Sequence, residues 1–333
     1  MIEKPDIPDE VILRALEVCY SIRGETIEFV PRGLDPAAWA YRVNAGDMSY
    51  FLKVSKGSPD QTGAWIPRFL AQQGMKQVIA PLPTNQGEAF GILNRLNLRL
   101  QPFIAGERAM DAGMSTEQWK EFGAFLGRLH SQELATNITS QLRRETFTPR
   151  RLEWVAQMNA RIHVSENPDP IAAEMISVWR ENHAKISALL ERTAALARRV
   201  RQAERRMVLC HGDIHTGNIL LAEDQRMYVV DWDDAKLAPK ERDLMFVLAE
   251  ANAEEKDRFF AGYGETDVEP LALAYYQHDW CVEDIGAFAV EILDLQATGE
   301  DTRANSLYWF RSLFAPGKSV ATALANDVDL MPA

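Results

Sequence analysis

Asp213, Asn218 and Asp231 are the residues whose types and spacing could do chemistry. They lie in two runs, Val208-Leu-Cys210-His211-Gly212-Asp213-Ile214-His215-Thr216-Gly217-Asn218-Ile219-Leu220 and Tyr228-Val-Val230-Asp231-Trp232-Asp233. The first reads as apolar strand, polar loop, apolar strand; the second as an apolar strand ending in a carboxylate. Between them Ala222-Glu-Asp-Gln-Arg226 is polar and turn-like, so Ile219–Leu221 and Met227–Val230 should pair as a hairpin. Such a hairpin returns Asn218 and Asp231 to one end, beside the loop that presents Asp213. Three oxygen-bearing side chains then converge, which suits phosphoryl transfer. That chemistry needs Mg²⁺ on hard oxygen ligands and a carboxylate to take the proton of an attacking hydroxyl. Loop carboxylates that merely satisfy backbone groups would leave the spacing unexplained. His211 and His215 are read as structural, since a histidine in a tight loop more often pairs than reacts.

Asp213 and Asn218 have the spacing of the protein-kinase catalytic loop His-x-Asp-x-x-x-x-Asn, with His211 two places before the Asp. The later Asp stands in Val230-Asp231-Trp-Asp233 instead of Asp-Phe-Gly. His-Gly-Asp-x-His-x-Gly-Asn followed by Asp-Trp-Asp resembles the aminoglycoside phosphotransferase family, the small-molecule kinases that include choline-kinase-like members. Within it the chain looks nearest to the spectinomycin-modifying branch. The runs that carry this are Cys210-His-Gly-Asp-Ile-His-Thr-Gly-Asn218, Asp231-Trp-Asp, Leu237-Ala-Pro-Lys-Glu-Arg-Asp-Leu-Met-Phe246 and Tyr275-Tyr276 through Val282-Glu-Asp-Ile285.

The resemblance covers nearly the whole chain. It implies an α+β, bilobal, protein-kinase-like fold. Residues 1–104 would form a small antiparallel-sheet N-lobe that binds nucleotide. Residues 105–333 would form a larger, mostly helical C-lobe, with a helical insertion at about 137–207 walling the acceptor site. The cofactors implied are ATP, with GTP open, and Mg²⁺. By the same resemblance Asp213 takes the acceptor's proton, Asn218 and Asp231 hold the metal, and Lys53 binds the α/β-phosphates. The N–H groups of Phe103 or Ile104 would face adenine, because Pro102 cannot donate. His211 and Asp243 would brace the loop. Asp234, Glu241, Glu283 and Asp284 could form an acidic wall for a cationic aminocyclitol such as spectinomycin, since charge-assisted hydrogen bonds anchor amines well. Choline, an amino alcohol, a sugar or a protein hydroxyl remain alternative acceptors. So does a nucleotide-binding regulator that has lost catalysis.

The elements that must position these groups are legible in outline. Residues 8–22 read as an amphipathic helix capped by Asp9. Thr26–Val30, Ala38–Val43 and Met48–Val54 read as strands, the last two joined by Asn44-Ala-Gly46-Asp47, and Lys53 lies on the third. The loop Pro31–Pro36 has one glycine, Gly33, a weak phosphate-cradling signal. Where a kinase has the glutamate that pairs with the strand lysine, this chain has Gln61, preceded by Asp60. Pro67 should start or kink the helix that follows. Gln77–Leu82 and Ala89–Leu93 read as further strands, and Leu96–Ile104 runs into the hinge. Ser115-Thr-Glu-Gln118 is a capping box opening a helix whose Trp119, Phe122, Phe125, Leu126 and Leu129 share one face. In the insertion, Ile171–Val178 and Ile186–Val200 are periodic, and Trp154, Met158 and Trp179 are candidate walls. Few residues separate Asp231 from the next helix, which leaves little platform for a polypeptide substrate.

Composition sets bounds. A chain of 333 residues has room for two lobes, and 47% hydrophobic with 25% charged residues is ordinary for a soluble globular protein. A net charge of −12 argues against nucleic-acid partners. The arginines between Arg198 and Arg206 read as a solvated helix face. No run is long enough for a membrane span, and the acidic N-terminus is unlike a signal peptide. Cys19, Cys210 and Cys281 are odd in number and scattered, as expected of reduced thiols in a cytoplasm. The oligomeric state stays open, with a monomer the simplest expectation.

Overall fold

Strand parity decides where Lys53 points. β1 (Thr26–Val30), β2 (Ala38–Ala45), β3 (Met48–Ser55), β4 (Gly91–Leu93) and β5 (Leu96–Pro102) form an antiparallel sheet in the order β1-β2-β3-β5-β4. Trp39, Tyr41, Val43, Leu52, Val54, Leu98 and Leu100 bury one face against Ile12, Leu16 and Tyr20 of helix α1 (Asp9–Tyr20). Side chains alternate across a strand. Lys53, between Leu52 and Val54, therefore takes the opposite face, where its register partners are Ala40 on β2 and Arg99 on β5.

The computed structural model describes residues 2–31, 37–57, 61–166, 169–294 and 298–326. The loop around Gly33 and the residue Asp60 lie outside them. The chain divides into two units: Met1–Arg143, Val208–Leu237 and Ala251–Glu265 form the first, and Arg144–Met207, Ala238–Glu250 and Thr266–Ala333 the second.

In the first unit α2 (Thr62–Gln72) follows the sheet, with Pro67 inside it. The helix begins five residues before that proline, so Pro67 neither starts it nor ends it. Residues 77–82 are not a strand, contrary to the sequence expectation. Pro81 and Pro83 have no N–H to give a ladder, and the segment is tied instead by a bridge between Val78 and Val229 and by the Leu82 N–H on the Leu100 carbonyl at 2.7 Å. Asp9 is the first residue of α1, not its cap; Pro8 is the cap residue and Asp9 pairs with Lys4 at 2.8 Å. After β6 (Gly106–Arg108) and α3 (Ala109–Ala112), helix α4 (Thr116–His130) opens on the capping box. Ser115 N–H donates to Gln118 Oε1 at 2.9 Å, and Gln118 N–H to Ser115 Oγ at 3.2 Å. The apolar face of α4 is buried as its spacing predicts. The short α5 (Thr136–Thr139) closes this segment.

The hairpin that sequence predicts follows the strand β7 (Val208–Cys210) and consists of β8 (Ile219–Ala222) and β9 (Met227–Val229). Ile219 faces Val229 and Leu221 faces Met227, and β6 pairs on the other edge of β8.

The second unit is helical: α6 (Leu152–Arg161), α7 (Pro170–Glu181), α8 (His183–Val200), α9 (Glu241–Glu250), α11 (Pro270–Leu293), α12 (Glu300–Ser312) and α13 (Ser319–Ala325). The remaining helix, α10 (Ala253–Tyr263), belongs to the first unit. Trp179 is fully buried, stacks on Phe310, and donates its indole N–H to Asn159 Oδ1 at 2.8 Å. Together with buried Met158 it is core and not an acceptor wall; Trp154 packs partly buried against it. Among the described residues no helix is long and apolar enough to cross a membrane.

Candidate active site

Asp213 sits on a turn that only glycine accommodates well. Gly212 has φ +88°, and a Cβ there would run into the Asp234 carbonyl. His211, with no exposed surface, fixes the turn from inside. Its Nε2 donates to the Val230 carbonyl at 3.0 Å and its Nδ1 accepts the Asp213 N–H at 3.3 Å, while its ring lies 4.6 Å from that of Trp232. One imidazole thus ties the loop carrying Asp213 to the strand leading into Asp231.

The Asp213 side chain is held by its own loop. Asn218 Nδ2 donates to the Asp213 carbonyl at 2.8 Å and to Oδ2 at 3.0 Å. His215 Nδ1 accepts the Gly217 N–H at 3.0 Å, which leaves the ring proton on Nε2, 3.7 Å from Asp213 Oδ1. Burial, with His211 and Arg108 nearby, lowers the His215 pKa to about 4, so the ring is neutral at pH 7.

Asp231 stands where the hairpin ends. The Val230 N–H donates to the Asn218 carbonyl at 3.0 Å, so Asn218 and Asp231 are neighbours, as the hairpin requires. Asp231 adopts the left-handed conformation, φ 63° and ψ 67°. That conformation costs a non-glycine residue about 1–2 kcal/mol, least for Asp and Asn, and it lets the chain reverse immediately after β9.

Lys53 reaches the same place from the sheet. Its ammonium lies 2.6 Å from Asp233 Oδ2 and 3.4 Å from Asp231 Oδ1. Arg99 forks the Asp233 carboxylate, one nitrogen on Oδ1 and the other 3.2 Å from Oδ2. Burial pushes the Asp233 carboxyl up, but Arg99 and Lys53 outweigh it and hold the group far below the usual carboxylate range. Arg143 donates to the Asp233 carbonyl at 2.5 Å and lies 3.5 Å from Asp234 Oδ1. Among the described residues the carboxylates that meet the lysine come from the Asp231-Trp-Asp233 run, and Gln61 is exposed at the start of α2. Arg99, Arg143 and the part played by Asp233 were missed from sequence. The available signal was the second carboxylate of Asp231-Trp-Asp233 and an arginine on a neighbouring strand.

Other expected residues fall differently. The Phe103 N–H is spent on the Ser49 carbonyl at 2.9 Å, and its ring carries the Arg42 guanidinium at 4.6 Å. It therefore cannot face adenine, and Ile104 remains. In the second unit Glu241 is buried and accepts the Glu269 N–H at 3.0 Å, with Lys240 at 3.3 Å. It secures the start of α11 and offers no carboxylate to a ligand. Glu283 pairs with Arg151 at 3.3 Å. Burial and the Glu283 charge raise the Asp284 pKa to about 8, so it is largely protonated at neutral pH, not the anion expected of it. Asp243 is fully buried in the first turn of α9.

An antiparallel sheet with a lysine on its third strand, and an Asp-x-x-x-x-Asn loop leading into a hairpin that ends in Asp, define a protein-kinase-like phosphotransferase. The family model described as "Phosphotransferase enzyme family" matches residues 26–276, and the chain belongs to that family. It is an enzyme that transfers a phosphoryl group to a hydroxyl. The chain is 32% identical to the spectinomycin phosphotransferase APH(9)-Ia, solved with ADP and spectinomycin, over 97% of this chain and 99% of that one, with a TM-score of 0.86. An AMP-bound complex of that enzyme matches at 30% identity over 96% and 99%, with a TM-score of 0.83. The choline kinase LicA from Streptococcus pneumoniae shares the fold, at 12% identity over 95% and 99% and a TM-score of 0.57.

Proposed function

We propose that this chain is an ATP- and Mg²⁺-dependent O-phosphotransferase whose acceptor is a cationic aminocyclitol, spectinomycin foremost, and that it works in a cytoplasm where it confers resistance by modifying the drug. One observation carries the reading. The Asp213–Asn218 pair and Asp231, with Lys53 drawn to Asp231, occur in a chain similar from end to end to a protein solved with ADP and spectinomycin.

Asp213 is the base. As the acceptor oxygen bonds to the γ-phosphorus and ADP leaves, the hydroxyl proton passes to the Asp213 carboxylate. Asn218 holds that carboxylate; His215, 3.7 Å away and neutral, does not compete for the proton. Because Asn218 commits its amide nitrogen to Asp213, its side-chain oxygen is the atom left for a metal. With the Asp231 carboxylate it makes a hard-oxygen set that fits Mg²⁺. When bound, Mg²⁺ would supply the positive charge that offsets the negative charge building during transfer. Lys53, held at Asp233, reaches the α/β-phosphates, and the Ile104 N–H faces adenine. Asp234 and Glu283 remain the acidic candidates for the acceptor's amines.

The test is mass spectrometry of spectinomycin incubated with the enzyme and Mg-ATP, with other aminoglycosides and choline alongside. A singly phosphorylated spectinomycin is expected, lost on chelation of Mg²⁺. Asp213→Asn should cut turnover by about 10²–10⁴-fold while Mg-ADP binds as before. Product only from choline or another acceptor would discard the aminocyclitol.

A further inference from the structure

Protein kinases hold their strand lysine with a glutamate from the next helix, and activity depends on that pair. Here α2 follows β3 and its sequence, TGAWIPRFLAQ, contains no acid. Yet the Lys53 side chain is only 16% exposed, and an ammonium so placed needs a fixed counter-charge. The structure supplies one from the other direction.

Three observations single out Asp233. Both its oxygens are engaged by cations: Oδ2 by Lys53 at 2.6 Å and by Arg99 at 3.2 Å, Oδ1 by the other Arg99 nitrogen. Arg99 is the direct cross-strand partner of Lys53, so the pair of cations is built into the sheet register. Finally, Gly63 in the first turn of α2 is where a Cβ would overlap Asp233 Oδ1 and an Arg99 nitrogen. The helix that would carry the glutamate offers a space there, and the Asp233 carboxylate with its arginine fills it.

We propose that Asp233, clamped by Arg99 and admitted by Gly63, is the positioning residue for Lys53, in the role that a helix glutamate has in protein kinases. The assignment rests on the reading of Lys53 as the phosphate ligand. It also divides the labour within Asp231-Trp-Asp233. Asp233 has both oxygens committed to cations, so Asp231, touched by Lys53 only at 3.4 Å, is the carboxylate left for the metal.

A double-mutant cycle tests this, read as Mg-ADP affinity by calorimetry so that no acceptor need be known. Lys53→Met and Asp233→Asn should each weaken Mg-ADP by about 10–100-fold, the range for losing a hydrogen bond to a charged group. Because Asp233 acts through Lys53, the double variant should be no weaker than the worse single one. Arg99→Lys, which keeps the charge but loses the fork, should weaken binding less than Asp233→Asn, and this smaller loss should also vanish in the Lys53→Met background. It serves in place of Asp233→Asn if that variant does not fold. Multiplying effects in the double variants would overturn the assignment, as would Asp233→Asn or Arg99→Lys binding Mg-ADP like wild type. Lys53→Met binding like wild type would instead remove the phosphate reading on which the assignment stands.

Discussion

Asp213 is fixed through its backbone as firmly as through its carboxylate, and His211 is the means. The imidazole takes the Asp213 N–H and gives its own to the Val230 carbonyl, at a position with no exposed surface. His211→Ala leaves both groups without this partner and removes the packing on Trp232. Each unmade buried bond costs about 1–3 kcal/mol. The expected loss is therefore about 2–5 kcal/mol in urea unfolding, with kcat falling more than the KM for ATP. A wild-type urea midpoint and kcat would show that the ring is a bystander. Residues of this kind were legible because spacing along one loop encodes them: Asp213, Asn218 and His211 lie within eight positions of sequence. Arg99 was not. Its meaning arises from a register pairing with Lys53 across β3 and β5, which local sequence does not write down.

Helices show the same division between what is local and what is not. The start and the buried face of α4 followed from Ser115, Gln118 and the apolar spacing, because caps and periodicity are properties of one segment. Its partner could not be read that way. α10 lies more than a hundred residues further along, and it packs on α4 through reciprocal glycines. A Cβ at Gly123 would strike the Phe259 carbonyl, one at Gly262 the Lys120 carbonyl, and one at Gly127 would come within 2.9 Å of the Tyr263 carbonyl. Backbones this close leave no room for a methyl group. Gly262→Ala should therefore destabilise by about 1–3 kcal/mol, the usual cost of overpacking, despite the better helix propensity of alanine. Calorimetric or denaturant melts decide it: a rise in stability would mean that α10 can shift outward freely. Residues 77–82 were misread for a related reason. Their apolar run suggested a strand, but Pro81 and Pro83 deny it a ladder, and Val78 makes an isolated bridge to the β8–β9 hairpin.

Across the whole molecule, the sheet and the hairpin motifs disclosed the fold class, while the chain's threading stayed hidden. The first unit collects three separate stretches of sequence and the second another three, so no single cut of the chain isolates either. The net charge of −12 was visible, but not which carboxyls give up their charge on folding. In the second unit Asp279 and Asp284 are raised well above the ordinary value. Burial, opposed by Arg242 and reinforced by Glu145 and Glu283, raises Asp279 to about 6. Burial and Glu283, opposed by Arg242 and reinforced by Glu250 and Glu291, raise Asp284 to about 8. The ordinary value for both is 3.8, so between there and about 8 the folded chain holds protons that the unfolded chain has released. The contribution of these two groups to stability must then fall as pH rises through that window and level off above it, because a contribution rises with pH only where the unfolded state binds more protons. Asp284→Asn carries the neutral form permanently. Its urea midpoint should match wild type near pH 4, exceed it increasingly from pH 5 upward, and show the largest gain at about pH 8 and above. A gap that is the same at pH 5 and pH 8.5 would mean that Asp284 is ionised in the folded chain throughout, with Arg242 and not burial deciding its charge.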